Sequence, residues 1–509
     1  MKLTELGEGW LKLSPQHRNL EAAGIACDSR SVKPGFVFVA VPGEDLDGHK
    51  FIPDAISAGA VAVVGERKPR RWGAKNVPFI PVDDSRNALG RLSAAFYQFP
   101  SRHVSVCGIT GTKGKTTTSW ILHSILQATG RRAGLFGTIL NRIGERILPS
   151  TNTTPGVLEI AQHLRDLADS GGTHAVMEVS SHGISQNRTS GIDFVCGVFT
   201  NISPEHLDYH GTFEDYLRTK RAFFEELPAN ATAVLPRSED ASREIAANTV
   251  ANVVWYGAGE AEGVEDVQLG AEGISLVWKG MPLRSRIWGE HNLANLLAAV
   301  AAAEAMGIEP PAIALGVERA VAPPGRLEEI ECELGFRVYV DYAHTDNALN
   351  AVLRGLRPIT PGRLITVFGC GGDRDREKRP RMGWIAEQLS DKVILTSDNP
   401  RSEEPGRILD EISSGMERAF QAAMIVDRKD AIALALRMAK PGDAIIVAGK
   451  GHETYQEIRG SRLPFDDRDV SRELIACLVE ERRLLEEKSA EKSAAKLSAK
   501  SAARQAQTN

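Results

Sequence analysis

The sequence contains few cysteines, and their arrangement does not suggest a disulfide or a metal site. Only six cysteines occur among 509 residues, and no two of them form a CxxC pair. In a chain of this size, scattered cysteines are typical of reduced and mostly buried thiols. We therefore expect a protein of a reducing compartment, with neither a disulfide framework nor a cysteine-based metal site.

Long apolar runs and an excess of basic residues are also missing. No stretch approaches the roughly 20 apolar residues of a membrane span. The first residues, MKLTELGEGWLKL, lack the basic segment and apolar run of a signal peptide. The formal net charge of −5 argues against a surface built mainly for nucleic acid. We expect a cytoplasmic monomer that acts on small molecules, without a membrane or nucleic-acid partner.

The pattern of apolar segments divides the chain into three folded units and a tail. Short strands and turns occupy residues 1–98, and strand-like and helical segments alternate through residues 99–324. A Pro-Pro-Gly segment at 323–325 precedes the same alternation in residues 325–486. Such alternation predicts an α/β fold with mostly parallel sheets covered by helices. Residues 487–509, rich in Lys, Ala and Ser, have little apolar surface to bury and are expected to form a disordered tail.

The strongest single signal is a glycine-rich loop between a strand and a helix. The sequence VSVCGITGTKGKTTT at 104–118 runs from an apolar strand through closely spaced glycines to Lys115 and Thr116. Glycines allow backbone N–H groups to surround phosphate oxygens, and a helix N-terminus adds favourable partial charge. We expect the Lys115 ammonium at the terminal phosphates of ATP or GTP and the Thr116 hydroxyl as a Mg²⁺ ligand. The residues expected around the phosphates are Gly111, Thr112, Lys113, Gly114, Lys115, Thr116 and Thr117.

This loop leaves the reaction open, because kinases, hydrolase-driven switches, ligases and motors all bind nucleotides in this way. The spacing also departs from the GxxxxGK[ST] pattern, since Gly108 lies one residue earlier than that pattern requires and Ile109 takes its place. The alternative is a chance glycine-rich turn, but the flanking strand and helix favour a nucleotide site.

A second signal is a lysine on the inward face of a predicted helix that begins after Thr212. Lys220 falls on an apolar stripe with helical spacing. One interpretation is a snorkelling side chain whose ammonium reaches water. The other is a desolvated amine with a lowered pKa, which adds CO₂ and becomes a carbamate, a negatively charged metal ligand. The apolar residues of the stripe are Phe213, Tyr216, Leu217 and Phe224.

Candidate partners of that lysine lie upstream in the chain. Glu178 ends a predicted strand, and His206 and His210 belong to the cluster EHLDYH. A carboxylate, an imidazole and a carbamate would complete a Mg²⁺ site beside the phosphates. Hydrogen bonding within a turn is the other explanation for the two histidines.

A third signal follows the apolar run VILT at 393–396. Asp398, Asn399, Pro400 and Arg401 come directly after this predicted buried strand. In open α/β sheets, ligands bind at the carboxyl ends of the strands. The same residue types also form ordinary surface turns, so the tetrapeptide alone does not decide between a ligand site and a turn.

Taken together, a set of ordered motifs resembles the Mur ligases, which add amino acids to the peptidoglycan precursor. The likeness covers about residues 20–480. Order and spacing are most similar to the members that add the third residue, extending UDP-N-acetylmuramoyl-L-alanyl-D-glutamate. The motifs are GTKGKTTT (111–118), MEVSSHG (177–183), FTNISPEHLDYHGTFEDYLRTK (199–220), GEHNLANLLAA (289–299), PPGR (323–326), VDYAHT (340–345), VFGCGGDRDREKRP (367–380) and GKGHETYQ (449–456).

The resemblance implies three domains: an N-terminal UDP-precursor-binding unit, a central P-loop ATPase and a C-terminal Rossmann-like unit that receives the amino acid. It implies that Lys115 and a carbamylated Lys220 serve catalysis, with Glu178 and His206 as Mg²⁺ ligands. Around the adenine it implies His291, Asn292 and Asn295, and around the ribose and phosphates Arg326 and Asp341. For the UDP end it implies Ser29, Gly43, Glu44 and Asp45, and for the muramoyl-dipeptide Asn152, Thr153, Thr154, Ser180, Gln186 and Arg188.

The resemblance also gives the DNPR segment a role, because this position separates members that add meso-diaminopimelate from those that add L-lysine. Arg401 and Arg374 would grip the far carboxylate of diaminopimelate through paired N–H···O bonds. Lysine lacks that carboxylate and would leave a guanidinium unpaired in a closed site. Asp398 and Glu453 would balance the far ammonium. Further contacts are expected from Asn399, Pro400 and the Gly449 carbonyl.

The implied reaction is ATP-dependent amide formation through an acyl phosphate, with Mg²⁺ and a CO₂-derived carbamate. The alternatives are an L-lysine-adding ligase and a folylpolyglutamate synthetase-like enzyme, which shares the ATPase core. From another class, the chain would be an inactive nucleotide-binding regulatory protein.

Overall fold

The computed structural model describes residues 1–7, 9–43, 46–70, 76–270 and 272–506, with side chains described through residue 488. The chain forms two compact units, Met1–Val321 and a second that begins at Ala322. Within the described ranges, no helix has both the length and the apolar character needed to cross a bilayer.

The N-terminal part of the first unit is a four-stranded parallel sheet in the order β1-β2-β3-β4. Its strands are short and almost continuously apolar, as expected for strands covered on both faces. One apolar cluster packs with α3 on one side, and a second packs with α2 on the other. The elements are α1 (Leu3–Leu6), β1 (Gly24–Ala26), β2 (Phe36–Ala40), α2 (Ile52–Ser57), β3 (Ala62–Gly65), β4 (Phe79–Pro81) and α3 (Ser85–Phe96).

The rest of the first unit contains an eight-stranded sheet in the order β12-β11-β10-β5-β9-β6-β7-β8. The strands from β12 to β6 are parallel, and β7 and β8 extend the sheet in antiparallel fashion. The elements are β5 (Ser105–Thr110), α4 (Lys115–Ala128), β6 (Ala133–Phe136), β7 (Leu140–Ile143), β8 (Arg146–Pro149), α5 (Val157–Asp169), β9 (His174–Glu178), α6 (Ser181–Ser185), β10 (Phe194–Phe199), α7 (Leu207–His210), α8 (Phe213–Glu225), β11 (Thr232–Pro236), α9 (Ala241–Asn248) and β12 (Asn252–Tyr256).

A small antiparallel sheet and two helices complete this unit. The sheet order is β13-β14-β15, and its inner face joins the apolar cluster that also holds α4 and the alanine-rich α10. The elements are β13 (Val264–Gly270), β14 (Gly273–Trp278), β15 (Met281–Ser285), α10 (Glu290–Ala305) and α11 (Pro310–Arg319).

The second unit contains a six-stranded sheet in the order β16-β17-β21-β18-β19-β20, parallel except for β16. Helix α16 begins in this unit and continues past residue 486, where a disordered tail is predicted to begin. The boundary between domain and tail at residues 486 and 487 stays a prediction. The elements are β16 (Glu328–Ile330), β17 (Arg337–Asp341), α12 (Asp346–Leu356), β18 (Leu364–Phe368), α13 (Lys378–Leu389), β19 (Lys392–Leu395), α14 (Pro405–Ser413), β20 (Ala423–Met424), α15 (Arg428–Met438), β21 (Ala444–Ala448), β22 (Tyr455–Ile458), β23 (Ser461–Pro464) and α16 (Asp467–Ala506).

The predicted α/β architecture with mostly parallel sheets is confirmed, but one detail of helix α8 is wrong. Thr212 caps the helix by accepting a hydrogen bond from the Asp215 N–H, and Tyr216 and Phe224 are buried. Phe213 is 40% exposed, so it does not belong to the inward stripe. Phe223 is buried instead. Helical spacing gives the direction of a side chain around the axis, but not whether another element covers it.

Candidate active site

Four neighbouring strands of the eight-stranded sheet end at one edge, because the carboxyl ends of parallel strands point the same way. Strand β5 leads into the glycine-rich loop, and Glu178 is the last residue of β9. Thr200 follows β10, and Thr138 lies two residues after β6. The strand order β10-β5-β9-β6 places these four groups along a single line.

The glycine-rich loop has backbone conformations and close contacts that only glycine tolerates. Gly111 and Gly114 have positive φ angles of 147° and 83°, where a side chain is strained. A Cβ on Gly111 would lie 1.9 Å from Thr200 Oγ1, and a Cβ on Gly114 would lie 2.2 Å from Asn295 Oδ1. The Lys115 ammonium donates to the carbonyl oxygens of Gly111 (2.8 Å) and Thr112 (2.9 Å). The loop therefore has the tight shape expected of a phosphate cradle.

The segment after β10 holds this loop in place. Asn201 Oδ1 accepts from the Lys113 N–H at 2.9 Å, and Thr200 Oγ1 donates to the Lys113 carbonyl at 2.6 Å. Thr112 Oγ1 lies 3.1 Å from the Tyr216 hydroxyl. Burial raises the pKa of Tyr216 to about 12, so its hydroxyl stays protonated. Thr200, Asn201 and Tyr216 were not predicted as site residues, although all three belong to the motif at 199–220.

Glu178 connects the loop helix to β6. Thr116 Oγ1 donates to Glu178 Oε2 at 2.8 Å, and Thr138 donates to the same carboxylate through its N–H (2.9 Å) and its hydroxyl (2.9 Å). Glu178 is only 1% exposed, and a Cβ on Gly137 would lie 2.2 Å from its Oε1. Thr138, which sequence reasoning missed, therefore fixes the orientation of the carboxylate.

Lys220 is buried, with 1% of its surface exposed, so the snorkelling interpretation is wrong. Its Nζ lies 2.9 Å from the Gly111 carbonyl, the oxygen to which Lys115 also donates. Burial lowers the pKa of the Lys220 amine well below its usual value, and the positive charge of Lys115 lowers it further. Nearby Glu205 opposes this shift. Burial and the charge of Lys115 both shift the equilibrium of the Lys220 amine toward its neutral form.

His206 belongs to an aromatic cluster. Its ring centroid lies 5.1 Å from that of His182 and 6.3 Å from that of Tyr216. His182 also stacks on Tyr209, with centroids 4.1 Å apart. His206 has a positive φ of 57°, a strained conformation for a residue with a side chain. Across the part of the chain that the structure describes, no three His, Cys, Asp or Glu side chains are grouped to hold a metal ion.

The residues predicted near the adenine lie at the start of α10. Asn295 Nδ2 donates to Asn292 Oδ1 at 2.9 Å, and Asn292 Nδ2 donates to the Trp288 carbonyl at 2.8 Å. Thr118 Oγ1 lies 3.4 Å from Asn295 Oδ1. The two asparagines therefore link α10 to the loop helix, whereas the His291 side chain is exposed.

The two residues predicted near the ribose lie in the second unit. Asp341 ends β17 and accepts from the backbone N–H groups of Leu327 (2.7 Å) and Ala343 (2.8 Å). Burial raises the pKa of Asp341, and the positive charge of Arg326 opposes the rise. The Arg326 guanidinium lies 4.7 Å from the ring centroid of Tyr342, within cation–π range.

A cavity of about 640 Å³ opens in the first unit. Arg86 and Arg188 contribute positive charge to its wall, and Glu159 contributes a carboxylate. Arg86 Nη2 also donates to the Pro42 carbonyl at 2.6 Å. Two guanidiniums in a mostly apolar cavity suit an anionic ligand of nucleotide size. The lining residues are Cys27, Val41, Pro42, Gly43, Leu46, Arg86, Leu89, Gly156, Val157, Leu158, Glu159, Gln186, Asn187 and Arg188.

Three of the residues predicted for the UDP-linked precursor line this cavity, namely Gly43, Gln186 and Arg188. Ser29 opens the helical turn Ser29–Ser31 and is not among the lining residues. Glu44 and Asp45 lie outside the described residues.

The other predicted precursor residues form a loop that is bonded to the end of β9. Thr154 Oγ1 lies 3.0 Å from Ser180 Oγ and 3.0 Å from the Glu178 carbonyl. Arg188 Nη1 donates to the Thr154 carbonyl at 2.8 Å, and Thr153 Oγ1 lies 3.2 Å from Thr138 Oγ1. Hydrogen bonds thus join residues predicted for the precursor to Glu178, which also bonds to the loop helix. Asn152 is exposed.

In the second unit, the corresponding edge of the six-stranded sheet carries the DNPR segment. This segment follows β19, Gly371 follows β18 and Gly449 follows β21. The order β21-β18-β19 brings the three segments together. The Gly372 N–H donates to the Asn399 carbonyl at 2.9 Å, and a Cβ on Gly372 would lie 1.9 Å from the Pro400 carbonyl oxygen.

Arg401 is held rigidly in an unusual conformation. Its φ of 51° is in the left-handed region, where residues other than glycine are strained and which recurs at functional sites. Its N–H donates to the Glu457 carbonyl at 2.9 Å, and its Nη1 donates to the Gly372 carbonyl at 2.7 Å. Glu457 Oε2 lies 3.5 Å from its Nε. Arg374 is exposed. Its Cγ lies 3.6 Å from the position that a Cβ on Gly371 would occupy.

The other predicted residues of this edge form one network. Asn399 is 2% exposed and donates through Nδ2 to Glu453 Oε2 at 2.7 Å. Asp398 is also buried, and its Oδ2 lies 2.5 Å from the position of a Cβ on Gly449. Lys450, which was not predicted, is fully buried at the centre of this network. The sequence contains the residue in the motif GKGHETYQ, but its burial depends on segments far apart in the chain.

Comparison with family models identifies the class of protein. Residues 21–97 match the Mur ligase family catalytic domain, residues 109–303 the Mur ligase middle domain, and residues 325–451 the Mur ligase glutamate ligase domain. The chain belongs to the Mur ligase family, as the motifs predicted, and it is a ligase.

The relatives narrow the comparison to one branch of the family. The UDP-N-acetylmuramoyl-L-alanyl-D-glutamate–2,6-diaminopimelate ligase of Geobacter metallireducens is 43% identical over 478 residues, which cover 88% of this chain and 93% of that protein. The enzyme of the same name from Solibacter usitatus is 40% identical, with 91% and 95% covered. A solved structure of that name has a TM-score of 0.70 at 32% identity and covers 94% of this chain and 99% of its own.

The fold is also shared with a more distant enzyme. Mycobacterium tuberculosis folylpolyglutamate synthase complexed with ADP has a TM-score of 0.58 at 21% identity and covers 70% of this chain and 90% of its own. This likeness concerns the fold alone.

Proposed function

We propose that the protein adds meso-diaminopimelate to the γ-carboxylate of UDP-N-acetylmuramoyl-L-alanyl-D-glutamate, with ATP as the co-substrate. A carboxylate oxygen attacks the γ-phosphorus and ADP leaves, which gives an acyl phosphate. An amine of diaminopimelate then attacks the acyl carbon, loses a proton and expels phosphate. We place this reaction in the cytoplasm, as a step of peptidoglycan precursor synthesis. The relatives named for this reaction, at 40–43% identity, support it.

The loop at the carboxyl end of β5 supports the phosphoryl step. Backbone N–H groups of residues 111–117 and the N-terminus of α4 would bind the phosphates. The Lys115 ammonium donates to two loop carbonyls, and it would turn to the γ-phosphate when ATP binds. Positioning and charge stabilisation account for most of the catalysis in reactions of this kind.

The oxygen atoms beside the loop suit Mg²⁺ as ligands. A hydroxyl and a carboxylate 2.8 Å apart, Thr116 Oγ1 and Glu178 Oε2, are the oxygen ligands that Mg²⁺ prefers. When bound, Mg²⁺ would neutralise charge on the phosphates. His206 remains a proposed ligand, and the hydrogen bonds of the described residues do not join it to Thr116 or Glu178.

The environment of Lys220 supports carbamylation. A neutral amine forms an N–C bond with CO₂ and releases a proton, which gives a carbamate anion. An anion at this position would be attracted by Lys115, whose ammonium shares the Gly111 carbonyl with Lys220. A carbamate resonance in the ¹³C NMR spectrum after equilibration with ¹³CO₂, absent from Lys220→Ala, would support the assignment. A spectrum without that resonance would contradict it.

The choice of diaminopimelate depends on one observation, the fixed position of the Arg401 guanidinium in the DNPR segment. The Gly372 carbonyl and Glu457 hold this guanidinium, and its Nη2 makes no hydrogen bond within the described residues. A free guanidinium edge suits a carboxylate, and a buried carboxylate suits an ammonium. Lysine would supply only the ammonium, so an L-lysine-adding ligase is the less suitable function.

Product analysis tests the function directly. The enzyme, ATP, Mg²⁺ and UDP-N-acetylmuramoyl-L-alanyl-D-glutamate would be incubated with meso-diaminopimelate, with L-lysine or with no amino acid. We expect mass spectrometry to detect a UDP-linked tripeptide with diaminopimelate, together with stoichiometric phosphate. A lysine product of equal yield would refute the acceptor assignment. ATP turnover without any product would favour the regulatory alternative.

A further inference from the structure

A buried lysine lies behind the residues proposed to bind diaminopimelate. Lys450 has no exposed surface. Its Nζ lies 3.1 Å from Asn399 Oδ1, 3.1 Å from Glu453 Oε2 and 2.5 Å from the Tyr455 carbonyl oxygen. An ammonium has three N–H donors, so these acceptors use all of them. No donor remains for a ligand, and the role of Lys450 must be exerted through its partners.

The first partner is the Asn399 amide, whose orientation Lys450 determines. Asn399 Oδ1 accepts from Lys450 Nζ and from the Glu457 N–H at 2.9 Å. Its Nδ2 is therefore turned to Glu453 Oε2, 2.7 Å away. An amide turned the other way would direct its NH₂ group at two donors, which is unfavourable. The amide is thus fixed so that its second N–H is left for the oxygen of a ligand.

The second partner is the Glu453 carboxylate, whose charge Lys450 offsets. Asp398 and Glu453 are both carboxylates in this network, and Arg401 lies in the same segment as Asp398. With Lys450 present, Glu453 has a cationic partner at 3.1 Å, as Arg401 has an anionic partner in Glu457 at 3.5 Å. A balanced site suits the far end of diaminopimelate, which carries one carboxylate and one ammonium. Without Lys450, the excess negative charge would suit the lone ammonium of lysine.

We propose that Lys450 is a positioning residue that makes the acceptor site selective for a zwitterionic amino-acid head over a lone ammonium. It acts by orienting Asn399 and by balancing Glu453, and it does not touch the substrate. This inference rests on the proposed function, because it assumes that the site takes diaminopimelate.

The test is the acceptor preference of Lys450→Met and Lys450→Gln. For Lys450→Met we expect the KM for meso-diaminopimelate to rise about 10- to 100-fold, as when a buried charged hydrogen-bonding partner is lost. The ratio of kcat/KM for diaminopimelate to that for L-lysine should fall about 10-fold or more. The KM values for ATP and for the UDP-linked dipeptide should not change. Lys450→Gln keeps a donor for Asn399 without the charge, so it should recover part of the KM but not the ratio.

Arg363→Met is the matched control. Arg363 pairs with Asp443 at 2.7 Å, and these residues precede β18 and β21, at the opposite edge of the sheet. This variant should lose stability and keep the acceptor ratio. An equal change of the ratio in Arg363→Met, or unchanged KM and ratio in a folded Lys450 variant, would overturn the proposal. If Lys450→Met does not fold, the acceptor ratio of Lys450→Gln tests the proposal in its place. A wild-type enzyme that uses neither acceptor would overturn the proposed function, and this inference with it.

Discussion

The two large sheets present the same edge to their proposed ligands, but the chemistry of the two edges differs. At the eight-stranded sheet the groups are loop N–H donors, hydroxyls and one buried carboxylate, joined as Thr116–Glu178–Thr138. At the six-stranded sheet the groups are charged side chains, including Arg401 and the Lys450–Glu453 pair. The first edge suits phosphate, which backbone donors recognise. The second suits an amino-acid head, which needs charges of both signs.

This difference separates two functions of one ligase. Damage to the first edge should stop phosphoryl transfer and leave acceptor binding intact. Damage to the second edge should weaken acceptor use and leave ATP use intact. The following predictions test this separation, from the largest effect to the smallest.

The largest effect is expected for Lys115→Met. The ammonium would stabilise charge on the transferred phosphoryl group, so its loss should lower kcat about 10³-fold or more. Calorimetric binding of meso-diaminopimelate should be unchanged. Lys279→Met is the control, because Lys279 is an exposed lysine in the turn between β14 and β15, outside the loop. Phosphate release within about 10-fold of the wild-type rate would contradict the assigned role of Lys115.

Arg401→Ala should have the largest effect at the second edge. Loss of a guanidinium that binds a carboxylate should lower kcat/KM for diaminopimelate about 10²-fold. The KM for ATP should stay the same. Arg459→Ala serves as the control, since the Arg459 side chain is 83% exposed. Its guanidinium lies 3.8 Å from Glu404 in a surface ion pair. If both variants lose activity equally, the effect does not come from the proposed carboxylate contact.

Thr138→Val tests the orientation of Glu178. The variant keeps the backbone N–H bond to Glu178 but loses the hydroxyl bond at 2.9 Å. Loss of a residue that orients a metal ligand costs about 10-fold or more in metal affinity, so the Mg²⁺ concentration for half-maximal activity should rise by that factor. Thr138→Ser should restore the wild-type value. An unchanged Mg²⁺ dependence in Thr138→Val would exclude this role.

These residues also illustrate the limits of prediction from sequence. The phosphate loop was predictable because its glycines, lysine and threonine are consecutive and follow an apolar strand. Thr138 was missed because a single threonine after a strand has no distinctive pattern. Lys450 was missed because its burial depends on Asn399, 51 residues away in the sequence, as well as on its own motif. Lys220 was left between two interpretations, since spacing defines the face of a helix but not the depth of burial.

Glu403→Gln should have the smallest effect on activity, and it concerns the ion pairs behind the second edge. The Arg379 guanidinium, fully buried and 2.9 Å away, lowers the pKa of Glu403 from 4.5 to about 2. A lowered carboxyl pKa stabilises the fold above pH 4.5, and this stabilisation is lost as the pH falls through 2. At pH 7 the free energy of unfolding of the variant should be about 2 kcal/mol lower than that of the wild type.

The difference between wild type and Glu403→Gln should narrow as the pH falls from 5 toward 2, because the wild-type carboxylate becomes protonated. Urea unfolding at a series of pH values measures it. A difference that does not depend on pH would show that the charge of Glu403 does not support this part of the fold.

The most direct test of the whole account is the ratio of kcat/KM for meso-diaminopimelate to that for L-lysine, measured by phosphate release with the wild-type enzyme. A site built to bind the far carboxylate should discriminate by about 10⁴-fold, since lysine has no carboxylate for the remaining donors of the Arg401 guanidinium. A ratio of that size would agree with the charged edge of the six-stranded sheet as the acceptor site. A ratio near one would contradict it.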